Sequence, residues 1–168
     1  DKIDELFYNY QTVAAMLIIF GVLFIVIENY NKKRKPVINS IAEITWKAAV
    51  GVGLFQLIAA VFPGTSRSGA TILGGILLGM SRTTAAEFTF FLAVPVMAGA
   101  SLLKLVKFGL AFSASEAVIL LVGMVVAFVV SILVIKFLMN YIRRNDFKVF
   151  GWYRIILGVL VFLFFSIL

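Results

Sequence analysis

Nine consecutive residues, Pro63-Gly64-Thr65-Ser66-Arg67-Ser68-Gly69-Ala70-Thr71, form a polar, glycine-rich loop with one arginine between two long apolar runs. The guanidinium of Arg67 is a planar fork of donors that matches two oxygens of a phosphate, and it keeps its charge in apolar surroundings. Ser66, Ser68 and Thr71 add hydroxyl donors. Gly64 and Gly69 let the backbone approach an anion closely, and Pro63 ends the helix before it. The loop leads into an apolar helical stretch whose first N–H groups face whatever the loop holds. No Walker-type lysine is present, so the loop does not resemble a nucleotide P-loop. The chemistry that fits is the gripping of a phosphate group.

Each of these residues also has a plainer role open to it. Arg67 could snorkel to an interface or pair with a buried carboxylate such as Glu87, but snorkelling needs neither the hydroxyls nor the glycines around it. For Glu87 an ion pair with Arg82 or Arg67 is the favoured role, since one carboxylate is a poor metal site. Gln56, in the middle of an apolar run, either hydrogen-bonds a substrate oxygen or ties helices together. Gly51, Gly53 and the pair Gly75 and Gly79 suit close helix packing, and Phe88, Phe90 and Phe91 suit lipid or a neighbouring helix. The sequence holds no cysteine and no histidine. Disulfides, thiolate metal sites and the commonest general base are thereby excluded, and no metal ligand set is assigned.

These residues must be positioned by membrane helices. The chain has 168 residues, 62% of them hydrophobic, and its mean hydropathy of +1.10 is far above that of a soluble domain. Residues 6–27, 88–103 and 117–135 carry no charge. Runs of that length match a hydrocarbon slab about 30 Å thick. Short alternating segments of the β-barrel kind are absent from the pattern. The expected architecture is an all-α polytopic bundle in one transmembrane domain, residues 1–168. Spans are expected at about 6–28, 84–106, 116–139 and 150–168, with Pro95 kinking the second of these and Trp152 and Tyr153 as interface anchors. Residues 48–62 would make a helix about 22 Å long and residues 70–80 one about 16 Å long, both too short to cross. The stretch of about 41–80 is therefore expected to be a re-entrant hairpin with the Arg67 loop at its tip.

The net charge of +7 comes from short loops beside apolar spans, which points to topology rather than nucleic acid. Residues 32–35 and 143–148 are expected on the cytoplasmic side, and they share a face only if the hairpin does not cross. Lys32 to Arg34 could also touch anionic head groups, though topology alone accounts for them. The first residue is Asp1 and the opening is acidic, unlike a signal-peptide start, so the chain is expected to be part of a longer protein.

Gly53-Leu54-Phe55-Gln56, the Pro63 to Ile72 segment, Gly79-Met80-Ser81-Arg82, Ala86-Glu87-Phe88-Thr89-Phe90 and Ala93-Val94-Pro95 together resemble the undecaprenyl-diphosphatase family, the bacitracin-resistance type of membrane phosphatase. The resemblance covers roughly residues 44–106. It implies a bacterial plasma-membrane enzyme that removes one phosphate from undecaprenyl diphosphate, recycling the lipid carrier of cell-wall synthesis. It implies an inverted repeat of two re-entrant hairpins, of which this chain holds the second, with Arg67 clamping the diphosphate and Ser66 and Thr71 at phosphate-contacting positions. The family's other hairpin, rich in glutamate and carrying a histidine, has no counterpart here. A divalent cation, Mg or Ca, is implied by the family with its ligands outside this chain, and the chain alone is expected to be inactive. The expected partners are the polyprenyl diphosphate, membrane lipids, the other half of the same protein and, in a homodimer, a second copy. The rival class is a transporter of polyprenyl phosphate or another anion, built on the same broken-helix design.

Overall fold

The computed structural model describes residues 9–109 and 113–167. The acidic opening at residues 1–5, the first three residues of the span expected at 6–28, residues 110–112 between the spans expected at 84–106 and 116–139, and residue 168 lie outside the described residues. Among the described residues there are six α-helices: α1 (Tyr10–Asn31), α2 (Trp46–Val61), α3 (Arg67–Leu77), α4 (Arg82–Phe108), α5 (Ala114–Arg144) and α6 (Lys148–Ile167). Helices α1, α4, α5 and α6 are long and apolar enough to cross a membrane. The chain is an all-α, multi-pass membrane protein. The described residues fall into two compact units, one within residues 9–89 and 145–167 and the other within residues 90–144.

The first unit is built on an antiparallel pair. Asn9 caps α1 by accepting the Thr12 N–H at 2.8 Å, and the basic run ending in Pro36 closes the helix. Helix α6 packs against α1 where glycines remove side chains. A Cβ at Gly151 would lie 2.7 Å from the carbonyl oxygen of Gly21, and one at Gly158 would lie 2.9 Å from that of Ala14. The two backbones touch, as small residues allow in membrane helices. At one end of the seam the rings of Tyr10 and Phe165 stack at 5.4 Å.

Helices α2 and α3 are short and fold back on each other. Thr45 caps α2, its hydroxyl accepting the Ala48 N–H at 3.3 Å. The helix stops at Val61 because Pro63 forces the residue before it out of the helical region, and Phe62 is extended, with φ −108° and ψ 110°. A Cβ at Gly51 would lie 2.7 Å from a Leu78 methyl, and one at Gly74 would lie 2.6 Å from the Phe55 ring. The pairing of 51 with 78 and 55 with 74 makes the hairpin antiparallel. Gly75 also packs closely, 3.0 Å from the Ala85 methyl by the same measure. Two glycines depart from the packing role expected of them. Gly53 faces open space. Gly79 sits beyond the end of α3 at φ +91°, a left-handed turn that favours glycine. Its carbonyl accepts from the N–H groups of Val37 and Ile38 at 2.8 and 3.0 Å, joining the end of the basic loop to the start of α4.

The ion pair at the base of this unit is not the one the sequence suggests. Arg82 pairs with Glu28 rather than Glu87, donating from Nε at 2.7 Å and from Nη2 to the same carboxylate oxygen. Glu28 is 1% exposed, and its other oxygen accepts the Phe147 N–H at 3.3 Å. One buried carboxylate thus joins α1, α4 and the turn before α6. Glu87 is half-buried, with no ion-pair or hydrogen-bond partner among the described residues.

The second unit consists of the rest of α4, with Pro95 inside it, and of α5. Residues 114–137 of α5 are exposed throughout. Its residues 117–135 carry no charge, and an exposed helical run that is apolar on every face suits a lipid environment.

Candidate functional site

Ser66 turns the chain from the Pro63 bend into α3. It lies at φ 63° and ψ 118°, the one non-glycine positive φ among the described residues. That conformation is costly for an L-residue. Its side chain repays part of the strain, since Oγ accepts the Gly69 N–H at 3.3 Å as an N-cap. The Ser68 hydroxyl stands 3.3 Å from the same oxygen, with Ser68 itself exposed.

Helix α3 therefore starts at Arg67, earlier than the expected start near residue 70. The positive end of its dipole lies at the arginine. Gly69 N–H is taken by the cap, and Ala70 N–H bonds the Ser66 carbonyl at 3.0 Å. The N–H groups of Ser66, Arg67 and Ser68 have no acceptor among the described residues. Arg67 is half-buried and, among the described residues, has no ion-pair or hydrogen-bond partner. The expected alternative, a pairing with Glu87, is not formed. A charged fork, three free amides and two serine hydroxyls share one helix terminus, which is the donor set an anion with several oxygens needs.

The other expected site residues take supporting places. Thr71 is buried, its hydroxyl lying 3.0 Å from the Arg67 carbonyl and 3.1 Å from that of Ser68. It accepts from the Thr89 hydroxyl at 3.0 Å. Its one proton is directed to the helix interior, so it braces the turn that carries Arg67. Gly64 lies at φ +88°, and a Cβ there would come within 2.6 Å of the Val13 carbonyl oxygen. A Cβ at Gly69 would lie 3.3 Å from the Phe24 ring. The space these two glycines leave is filled by α1, which makes them packing residues of the loop. Gln56 is half-buried on α2 and ties no helix by a hydrogen bond among the described residues.

Sequence reasoning passed over Arg154. From α6 its Nη1 donates to the Thr65 carbonyl at 2.8 Å, and the guanidinium carbon lies 5.8 Å from the centre of the Phe24 ring. The signal was present, because a charge inside an apolar run is the same sign that singles out Arg67. Thr65 is fully buried, and its hydroxyl has no hydrogen-bond partner among the described residues.

No group of three or more aspartate, glutamate, histidine or cysteine side chains gathers among the described residues in a way that could hold a metal ion. Glu28 is committed to Arg82, and Glu87 stands alone. These residues do not fit the divalent cation that the family resemblance implies.

A family model described as bacitracin resistance protein BacA matches residues 1–160 of this chain. The undecaprenyl-diphosphatase of Desulfitobacterium hafniense is 70% identical over 166 residues, covering 99% of this chain and 60% of the relative. Undecaprenyl-diphosphatase 1 of Clostridium acetobutylicum is 69% identical over 167 residues, covering 99% of this chain and 61% of the relative. The undecaprenyl-diphosphatase of Acetivibrio thermocellus is 66% identical over 165 residues, covering 98% and 60%. The chain thus spans about three fifths of the length of the curated relatives it matches.

Proposed function

We propose that this chain, which belongs to the bacitracin resistance protein BacA family, carries the diphosphate-gripping part of a bacterial plasma-membrane phosphatase. The reaction is the hydrolysis of undecaprenyl diphosphate to undecaprenyl phosphate and phosphate. The observation that carries this reading is the guanidinium of Arg67, without an ion-pair or hydrogen-bond partner among the described residues, beside the amides of Ser66, Arg67 and Ser68 at the start of α3, which have no acceptor among them.

Phosphoryl transfer asks the protein mainly for positioning and charge stabilisation. In this proposal Arg67 clamps the diphosphate through its fork, the amides and the helix dipole take up charge that builds on the phosphoryl oxygens, and Ser66 and Ser68 add hydroxyl donors. Gly64, Gly69 and Thr71 hold the loop in shape. Gln56 is assigned to the head-group side of the hairpin, and the polyprenyl tail lies between helices in lipid. The pair α2 and α3 enters and leaves the membrane on one side. At 1.5 Å per residue they are about 24 and 16 Å long, short of a span. The general acid or base, and any cation ligands, are assigned to the part of the relatives' length that this sequence does not cover.

The test is phosphate release from undecaprenyl diphosphate by the full-length protein in detergent, where no transmembrane gradient exists. Release that depends on Arg67 supports the reading. A transporter of polyprenyl phosphate or another anion releases none. The 168-residue chain assayed alone should release none either, and full turnover by it would overturn the assignment of the acid–base groups to another segment.

A further inference from the structure

Arg154 donates to the carbonyl of Thr65, the residue just before the strained Ser66. A peptide bond is planar and trans, so its carbonyl and its N–H point in opposite directions, and no cis bond occurs among the described residues. A Thr65 carbonyl drawn toward Arg154 therefore turns the Ser66 N–H to the opposite edge of the same peptide, away from α6. That N–H is one of the three amides at the start of α3 without an acceptor among the described residues. The orientation is not one that Ser66 would hold by its own preference, because φ 63° lies where an L-residue is strained.

We infer that Arg154 is a positioning residue for the phosphate site, fixing the Thr65–Ser66 peptide so that the Ser66 N–H stays aimed at the bound anion. This rests on the proposed phosphatase reading and adds to it a lock reached from 89 positions away in the chain. Arg154 has the means to hold this position. Its helix is fastened to α1 by backbone contact at Gly151 and Gly158 on either side of it, and its guanidinium lies near the Phe24 ring. The energetic logic is preorganisation: a donor already aimed at developing charge need not reorient during the reaction.

The experiment uses the full-length protein and its Arg154→Gln and Arg154→Lys variants, each checked for folding by size-exclusion chromatography and thermal melting. Arg154→Gln should lose on the order of a hundredfold in kcat on undecaprenyl diphosphate, with KM within about threefold of the parent. Arg154→Lys keeps both the charge and a stem long enough to donate to the carbonyl, which the shorter, neutral glutamine amide does not, and should recover to within about tenfold of the parent. A kcat for Arg154→Gln within about twofold of the parent overturns the inference. So does a lysine variant no better than the glutamine one, since that result makes the guanidinium a direct ligand of the substrate.

A second readout does not depend on turnover or on a variant that folds. Thr65–Ser66 is the only threonine–serine step in this sequence, so threonine labelled with carbonyl ¹³C and serine labelled with ¹⁵N single out that peptide in the chain by NMR. Titration of the parent with inorganic pyrophosphate should move its amide proton downfield, and a resonance that does not respond overturns the inference. If the parent releases no phosphate from the lipid, the phosphatase reading fails, while the same titration repeated on Arg154→Lys and Arg154→Gln still tests the inference: a downfield shift kept in full by the glutamine variant overturns it.

Discussion

The Thr89 hydroxyl donates to the Thr71 hydroxyl at 3.0 Å, so that α4 braces the second turn of α3. Thr71 in turn lies 3.0 Å from the Arg67 carbonyl. Replacing it by valine removes an internal brace, and should cost about 1–3 kcal/mol of stability by leaving Thr89 without its acceptor. As a brace, Thr71→Val should leave kcat within about tenfold of the parent at a temperature where the variant stays folded. A larger loss, with the melting temperature unchanged, would instead make the hydroxyl a ligand of the substrate.

Arg67→Lys keeps the charge and loses the fork. In the full-length protein its kcat on undecaprenyl diphosphate should fall on the order of a hundredfold or more, the usual effect of losing one preorganised donor. The Arg67 side chain has no ion-pair or hydrogen-bond partner among the described residues, so the melting temperature should hardly move. Near-parental turnover would remove Arg67 from the mechanism.

Gly64→Ala should damage the loop from two directions. The φ of +88° is unfavourable for alanine, and its methyl would meet the Val13 carbonyl at 2.6 Å. The conformational part alone costs about 1–2 kcal/mol. A thermal melt in detergent measures the sum, and an unchanged melting temperature would mean that the loop can move away from α1.

The Glu28–Arg82 pair is buried on its carboxylate side. Glu28→Leu alone should destabilise by about 3–5 kcal/mol, because it leaves a guanidinium short of its partner. The double variant Glu28→Leu with Arg82→Met should recover much of that loss. A double-mutant cycle in the same detergent measures the coupling, and strictly additive losses would show that the pair does not act as a unit.

The re-entrant course of α2 and α3 can be read by labelling, because the sequence has no cysteine of its own. Lys47→Cys and Leu77→Cys lie at the open end of the hairpin, and both positions are exposed. A membrane-impermeant maleimide should reach both from the same side of the bilayer. Labelling from opposite sides would make the hairpin a crossing.

What could be read in the sequence was whatever depends on neighbours along the chain. Long uncharged runs gave the helical class, and Pro63 placed the break that Phe62 and Ser66 now form. What depends on partners far along the chain was hidden. Glu28 and Arg82 are separated by 54 positions, and Glu87 is closer to Arg82 and looks just as suitable. Gly75 and Gly79 read alike as packing glycines, yet one faces a methyl and the other ends a helix. Thr71 reads as an outward donor because sequence does not reveal Thr89 beside it. Arg154 was masked by Trp152 and Tyr153, whose suitability as interface anchors drew attention to the end of the helix rather than its inner face.

The glycine seam between α1 and α6 has a mechanical corollary. Where backbone rests on backbone there are no side-chain rotamers between the two helices to absorb a small displacement, so the contact fixes the height of one against the other. Arg154 stands three residues from one contact glycine and four from the other. The height at which its guanidinium meets Thr65 is therefore set by those two backbone contacts and not by the rotamers of intervening side chains.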